Sequence, residues 1–348
     1  MSVINEQKAD AALTKASSNA EEVVTPEELR VLLQKPTFNF YYGTAPTGPF
    51  HFAYIIPLNK CIDLANLGGK GTMLIADYHA HLDDQKTSFE QMDIRSRYYE
   101  ECMKGVLGPF TKKFKFVRGS SYQTKQEYVE DIFKLSAKIT TTRATRAASE
   151  VVRMKDEPKV SELLYPVMQI LDVKYLQADI SVGGRDQRNI YMLGREYLED
   201  LGFQKGIYIF MPLLPSLKGG GSKMSASDPL SHIRVTDTPE RIRTTMSKAY
   251  CPAGVLEQNA VTSTVSWIIL PRYGKFMIPR KQKFGGDIEF TSAADFEKAY
   301  KENKLHPEDV KEAVISKLCE MLEPARKYFE SHPDILAEVE RTYGEKRA

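Results

Sequence analysis

The sequence predicts an α/β fold built on a doubly wound parallel sheet, and three observations carry that expectation. Short apolar runs at 38–42, 72–77, 114–117, 178–182 and 207–211 read as strands, and helical patterns fill the gaps at 50–66, 93–106, 126–138, 161–177 and 186–201. Strands alternating with helices of that length need crossover connections, hence parallel pairing and a sheet covered on both faces. Past Asp228 the rhythm changes to helical patterns at 239–249, 262–270, 293–303, 307–322 and 333–343, with one short strand signal near Ile288. A second, mostly helical unit is expected there.

Taken in chain order, residues 1–24 mix Ala, Ser, Glu and Lys without an apolar core and are expected to form a loose, flexible extension. They are no secretory signal, and early acids with no Arg before Arg30 argue against a mitochondrial transit peptide, so a cytoplasmic protein is expected. Thr25-Pro26-Glu27-Glu28 opens the first expected helix, with Thr25 as cap and Pro26 in the first turn. The 348 residues, 42% hydrophobic and 27% charged, fit about two domains with a substantial core. No uncharged apolar run approaches the roughly 18 residues that suggest a membrane span. A net charge of +2 gives no general reason to expect nucleic acid, so a basic patch must be local. Cys61, Cys102, Cys251 and Cys319 stand far apart without a Cys-x-x-Cys pair or a neighbouring His, so reduced thiols and no protein metal are expected.

Four segments carry chemistry. Tyr41-Tyr42-Gly43-Thr44-Ala45-Pro46-Thr47-Gly48-Pro49-Phe50-His51-Phe52-Ala53-Tyr54 runs from a strand through a Gly/Pro turn into a helix, where α/β folds bind phosphate on backbone N–H groups and the positive helix end. His51 opens that helix and can donate to a phosphate oxygen; a plain turn with a capping His is the alternative. Lys218-Gly219-Gly220-Gly221-Ser222-Lys223-Met224-Ser225-Ala226-Ser227 offers lysines and hydroxyls on a Gly-rich loop suited to closing over a nucleotide, or it is a linker. In Leu163–Leu176, Tyr165, Gln169 and Asp172 share one helical face, with Pro166 expected near the start or at a kink. Asp172 in that apolar setting needs a donor, which a small polar ligand can supply, unless the face is solvated. Val182-Gly183-Gly184-Arg185-Asp186-Gln187-Arg188 repeats the strand, glycine turn, helix order and brings Gln187 near the turn.

In this order and spacing the four segments resemble a class I aminoacyl-tRNA synthetase, of the tyrosyl-tRNA synthetase family in its archaeal and eukaryotic-cytosolic type. The resemblance runs from about Thr25 to about Phe329. His51-Phe52-Ala53-Tyr54 stands where that class has His-Ile-Gly-His, and Lys223-Met224-Ser225-Ala226-Ser227 where it has Lys-Met-Ser-Lys-Ser. The second signature lysine is missing, a variant that tryptophanyl enzymes share.

The resemblance implies a Rossmann-like catalytic domain at 25–228, a dimerisation insertion at about 116–154, and a helical anticodon-binding domain at 229–348. It places Tyr41 and Asp172 against a tyrosine phenol, and Tyr165, Gln169 and Gln187 around the α-amino group. Phenylalanine would leave the Tyr41 hydroxyl and the Asp172 carboxylate unpaired. ATP, accompanied by Mg²⁺, is assigned to Gly43, His51, Tyr54, Gly183, Gly184, Lys223, Met224 and Ser225, with His51 and Lys223 stabilising the transferring phosphoryl group. The expected product is tyrosyl-tRNA(Tyr), made by a homodimer. Arg146 and Arg188 match positions that read the acceptor stem; Phe284 and Asp309 match positions that meet the first anticodon base. Arg272, Lys275, Arg280, Lys281 and Lys283, interleaved with Tyr273 and Phe276, form the expected local basic patch. A tryptophanyl enzyme or a noncatalytic RNA-binding relative are the other readings.

Overall fold

The computed structural model describes residues 3–152, 157–221, 223–224, 228 and 231–344. Six strands form one sheet: β1 (Glu22–Val24), β2 (Phe38–Thr44), β3 (Gly69–Ile75), β4 (Phe114–Arg118), β5 (Ile180–Gly184) and β6 (Ile207–Met211). Their order is β1-β6-β5-β2-β3-β4, parallel throughout except for β1, which runs antiparallel to β6. The chain therefore winds outward from β2 through β3 to β4, returns to β5 on the other side of β2, and continues to β6. This is a doubly wound, Rossmann-like sheet. Its ligand crevice lies where the winding reverses, at the C-terminal ends of β2 and β5. Every residue of β6 is buried, as a strand covered on both faces requires.

The helices obey their local signals. Thr25 caps the Pro26–Leu32 helix by accepting from the Glu28 backbone N–H at 3.3 Å, with Pro26 in the first turn. The Val160–Tyr175 helix continues past Pro166, which stands in its second turn rather than at its start. The C-terminal half is helical, at Pro239–Ser247, Ala260–Tyr273 with a π-helical middle, Ala293–Lys301, Pro307–Ser331 and Pro333–Gly344. A two-stranded hairpin joins them, β7 (Phe276–Ile278) against β8 (Ile288–Phe290).

The N-terminal stretch expected to be loose is instead ordered: Val3–Ser17 is a helix and Glu22–Val24 is the edge strand. Its anchor is polar, which composition hides. Lys60, only 1% exposed, donates to the Lys15 carbonyl at 3.2 Å at the end of that helix, and Lys15 in turn pairs with Asp63 at 2.8 Å.

The apolar interior is divided by the sheet, one cluster on each face. The larger joins sheet residues such as Phe38, Met73 and Ile180 to the helix Met92–Leu107 and onward to Val314, Leu318 and Phe329 of the C-terminal half. At the junction Gly105 lies so close to Pro307–Ser331 that an added Cβ would come within 2.6 Å of the Ala325 Cα. Backbone cannot yield as a flexible side chain does. Gly105→Leu is expected to cost about 2–3 kcal/mol by overpacking, read as a fall in the thermal midpoint.

Candidate active site

Tyr41, on the central strand, points to the face covered by Val160–Tyr175, and that helix turns Tyr165, Gln169 and Asp172 toward it. Asp172 is 1% exposed. Its Oδ1 accepts from the Tyr122 hydroxyl at 2.7 Å and from Gln123 Nε2 at 2.9 Å. The Tyr128 hydroxyl lies 2.9 Å from the same oxygen and 2.9 Å from the Met168 carbonyl, so one proton serves both. Oδ2 is 3.9 Å from His79 Nε2. Burial outweighs these hydrogen bonds and pushes the Asp172 carboxyl up to about 7. The same burial lowers His79 to about 4, so its imidazole is neutral.

The Tyr41 hydroxyl was expected to be unpaired without a substrate. It is not: it lies 2.9 Å from the Tyr191 hydroxyl, both groups being buried. Tyr191 belongs to Arg188–Tyr197, the helix that follows β5, and the parallel sheet brings β5 beside β2. Nearer the mouth, Gln169 Nε2 donates to Gln187 Oε1 at 3.0 Å, and Gln187 Nε2 donates to Asp186 Oδ1 at 3.2 Å.

At the other end, the N–H of Phe52 donates to the Ile233 carbonyl at 3.0 Å, fixing the segment that carries His51. His51 precedes a single 3₁₀ turn, Phe52–Tyr54, and the α-helix proper is Ile55–Asn66. Its ring is 4.4 Å from the stacked ring of Tyr54, which also stacks on Phe50 at 4.4 Å. Burial, with His232 nearby, lowers His51 to about 3. The imidazole is therefore a neutral donor, and its buried Nδ1 has no hydrogen-bond partner among the described residues. The preceding turn is tied down at the Gly48 carbonyl, which accepts from Tyr99 and Tyr343 hydroxyls, each at 2.9 Å.

Lys223 Nζ donates to Asp186 Oδ2 at 2.5 Å, bringing the second lysine-rich segment to the mouth. Gly219, Gly220 and Gly221 before it hold φ of 70°, 78° and 81°, a run that only glycine adopts without strain. Gly184 keeps this corner tight: a Cβ there would displace the ends of the Leu213 side chain at 2.8 Å and of Asp186 at 2.7 Å.

The two ends and the mouth belong to one cavity of about 1180 Å³. Its lining includes Tyr41, Gly43, His51, Tyr54, Tyr165, Gln169, Asp172, Gly183, Gly184, Gln187, Lys223 and Met224. Residues read from four separate stretches of sequence thus meet in one place. Ser225 lies outside the described residues. Sequence reasoning missed His79, Tyr122, Gln123, Tyr128 and Tyr191. The first three follow the C-terminal ends of β3 and β4, the positions where a parallel sheet presents ligand contacts, and that rule was the available signal.

Arg146, Arg188 and Asp309, assigned to RNA, do not line this cavity, and they differ among themselves. Arg146 is exposed at the end of the Thr141–Ala148 helix. Arg188 is held in a two-pronged pair with the Glu22 carboxylate at 2.7 and 2.9 Å. Asp309 sits in the first turn of Pro307–Ser331. The Phe284 side chain lies outside the described residues. Arg272 is not part of a basic patch: it donates to the Val106 carbonyl at 2.7 Å and lies over the Phe110 ring. Among the described residues no group of three or more His, Cys, Asp or Glu could hold a metal ion, and no helix is long and apolar enough to cross a membrane.

A crevice at the switch point that joins a buried acid to a neutral His and a glycine-flanked Lys has the parts of an amino-acid-activating site. The chain belongs to the tRNA synthetases class I (W and Y), whose family model matches residues 33–323. Among its relatives in that family are tyrosine–tRNA ligases. That of Haloarcula marismortui is 41% identical over 91% of this chain and 93% of its own length. The cytoplasmic enzyme of Saccharomyces cerevisiae is 38% identical over 94% of this chain and 86% of its own. The crystal structure of tyrosyl-tRNA synthetase from Archaeoglobus fulgidus, complexed with L-tyrosine, superposes with a TM-score of 0.87 at 40% identity. It covers 92% of this chain and 99% of that one.

Proposed function

We infer that this chain is a tyrosine–tRNA ligase, which activates L-tyrosine with ATP to tyrosyl-adenylate and then transfers tyrosine to the 3′ end of tRNA(Tyr). The observation that carries this reading is the buried Asp172 carboxylate with the Tyr41 hydroxyl on the wall of the cavity that His51 and Lys223 also face. A phenol can donate to Asp172 and accept from Tyr41. An indole N–H donates but cannot accept. Gln169 and Gln187 supply amide oxygens for the α-ammonium group, and Tyr165 closes that side.

The tyrosine carboxylate is already an anion at neutral pH and attacks the α-phosphorus, expelling pyrophosphate, so no protein nucleophile is needed. The protein's part is to align the two substrates and to stabilise charge on the phosphoryl oxygens. His51 donates a neutral N–H, and Lys223 exchanges its Asp186 partner for phosphate oxygens when ATP binds. Backbone N–H groups at Gly43 and at Gly183-Gly184 line the nucleotide, and Mg²⁺ arrives as part of the ATP substrate. The test is ATP–pyrophosphate exchange with single amino acids: exchange driven by tyrosine and not by tryptophan is expected. Exchange with tryptophan alone, or with neither, overturns the reading.

The tRNA meets both halves, with Arg146 and Arg188 of the sheet-bearing half at the acceptor stem and Phe284 and Asp309 of the helical half at the anticodon. Arg188 must then leave Glu22 to reach RNA. Asp309→Ala is expected to lower tRNA charging about tenfold, the loss of one charged hydrogen bond, while tyrosine-dependent exchange is unchanged. Equal loss in both steps contradicts this division. The 116–154 segment supplies the homodimer contact; its Gln126–Ser136 helix leaves Phe133 67% exposed. A sedimentation mass of one chain at micromolar concentration overturns that assignment. The cytoplasm is the expected compartment, as for the Saccharomyces cerevisiae relative named cytoplasmic.

A further inference from the structure

We propose that Tyr191 is a positioning residue for amino-acid selection: its hydroxyl donates to Tyr41, which obliges Tyr41 to donate into the cavity. The inference rests on the reading of that cavity as a tyrosine site and names a residue which that reading does not use.

The argument is a count of protons. A phenol substrate has one O–H to give and can also accept. An ionised carboxylate only accepts, so at Asp172 the substrate must be the donor. Asp172 Oδ1 is already engaged by Tyr122, Gln123 and Tyr128, which leaves Oδ2 for the substrate. The substrate oxygen, having spent its proton, needs a donor of its own, and the Tyr41 hydroxyl is placed to be that donor. Tyr41 also has a single proton. If Tyr41 gave it to Tyr191, two lone pairs would face each other across the substrate position. The 2.9 Å contact between Tyr41 and Tyr191 is compatible with either direction in the free protein, and only donation from Tyr191 to Tyr41 suits a phenol.

The surroundings hold Tyr191 to this task. Its ring stacks on Tyr208 of β6 at 4.8 Å and 25°, and a Cβ on Gly183 would come within 3.2 Å of its edge. Tyr191 is 3% exposed and itself lines the cavity. The result is a chain of donors running Tyr191 to Tyr41 to substrate to Asp172, each bond polarising the next.

The test is pyrophosphate exchange by the full chain carrying Tyr191→Phe, which keeps the ring and its stacking and removes only the hydroxyl. The KM for tyrosine is expected to rise about tenfold with kcat within twofold, the pattern of binding lost equally from ground and transition states. The kcat/KM for phenylalanine, which has no hydroxyl to receive the bond, is expected to stay the same. Added to Tyr41→Phe, the substitution is expected to have no further effect. An unchanged tyrosine KM, an equal shift for both amino acids, or additive losses in the double variant each overturn the proposal. Absence of tyrosine-dependent exchange in the unsubstituted protein would instead remove the tyrosine-site reading beneath it.

Discussion

Asp172→Asn is expected to lower kcat/KM for tyrosine in pyrophosphate exchange on the order of 10²-fold, about 3 kcal/mol for a charged acceptor exchanged for an amide donor. The Asn oxygen still accepts from Tyr122 and Gln123, so the wall of the cavity keeps its shape. What changes is Oδ2, the atom turned to the substrate.

The acid limb of the pH profile should belong to the same group. Burial raises the Asp172 carboxyl to about 7, so roughly nine-tenths of it is protonated at pH 6 and one-tenth at pH 8. The charged and titratable neighbours do not move in that window: His79 is held at about 4, and Tyr41, Tyr122 and Tyr128 are pushed above their ordinary range. Tyrosine kcat/KM is therefore expected to fall about tenfold from pH 8 to pH 6 in the unsubstituted protein and to stay flat in Asp172→Asn.

Stability moves the other way. A carboxyl raised in the folded state favours folding while protonated, below its unfolded value near 4, and that contribution is lost as pH rises through 7. At pH 8 the ionised Asp172 destabilises the fold. The Asn variant is expected to melt at a higher temperature while its exchange collapses. A lower melting point at pH 8 would contradict this account of the site.

His51→Ala is expected to reduce the rate of adenylate formation by 10²–10³-fold, the usual loss when one fixed donor to a developing oxyanion is removed. The KM for tyrosine should change by less than threefold, because the phenol binds at the other end of the cavity. Since burial holds the imidazole at about 3, His51 contributes no step to the profile between pH 5 and pH 9. Lys223→Ala is expected to resemble His51→Ala in single-turnover adenylation. Unchanged rates in both variants would remove these side chains from the phosphoryl step.

Much of this was legible in the sequence because the signals were local. Runs such as Ile207–Met211 are continuous and apolar, as a buried parallel strand must be, whereas Gly183-Gly184, expected as a turn, form the last two residues of β5. An Asp on an apolar helix face is conspicuous on its own. What escaped depends on partners far along the chain. Glu22–Val24 is a strand only because β6 offers it an edge. Tyr122, Gln123 and Tyr128 reach Asp172 only once β4 lies two strands from β2. Cations could not be sorted by counting either, since Arg272 and Arg188 look like any other basic residue until Val106 and Glu22 are seen beside them.

The close approach of Gly105 to Ala325 bears on how the molecule comes apart. The helix that packs beneath the sheet also supports the C-terminal half, and the larger of the two apolar clusters runs from Phe38 to Val339. Because this larger cluster joins the two halves, they should melt together, and calorimetry should record a single endotherm. A chain ended after residue 228 would bare the Met103 and Val106 side of that helix to water. Such a fragment would aggregate rather than persist as a freestanding enzyme.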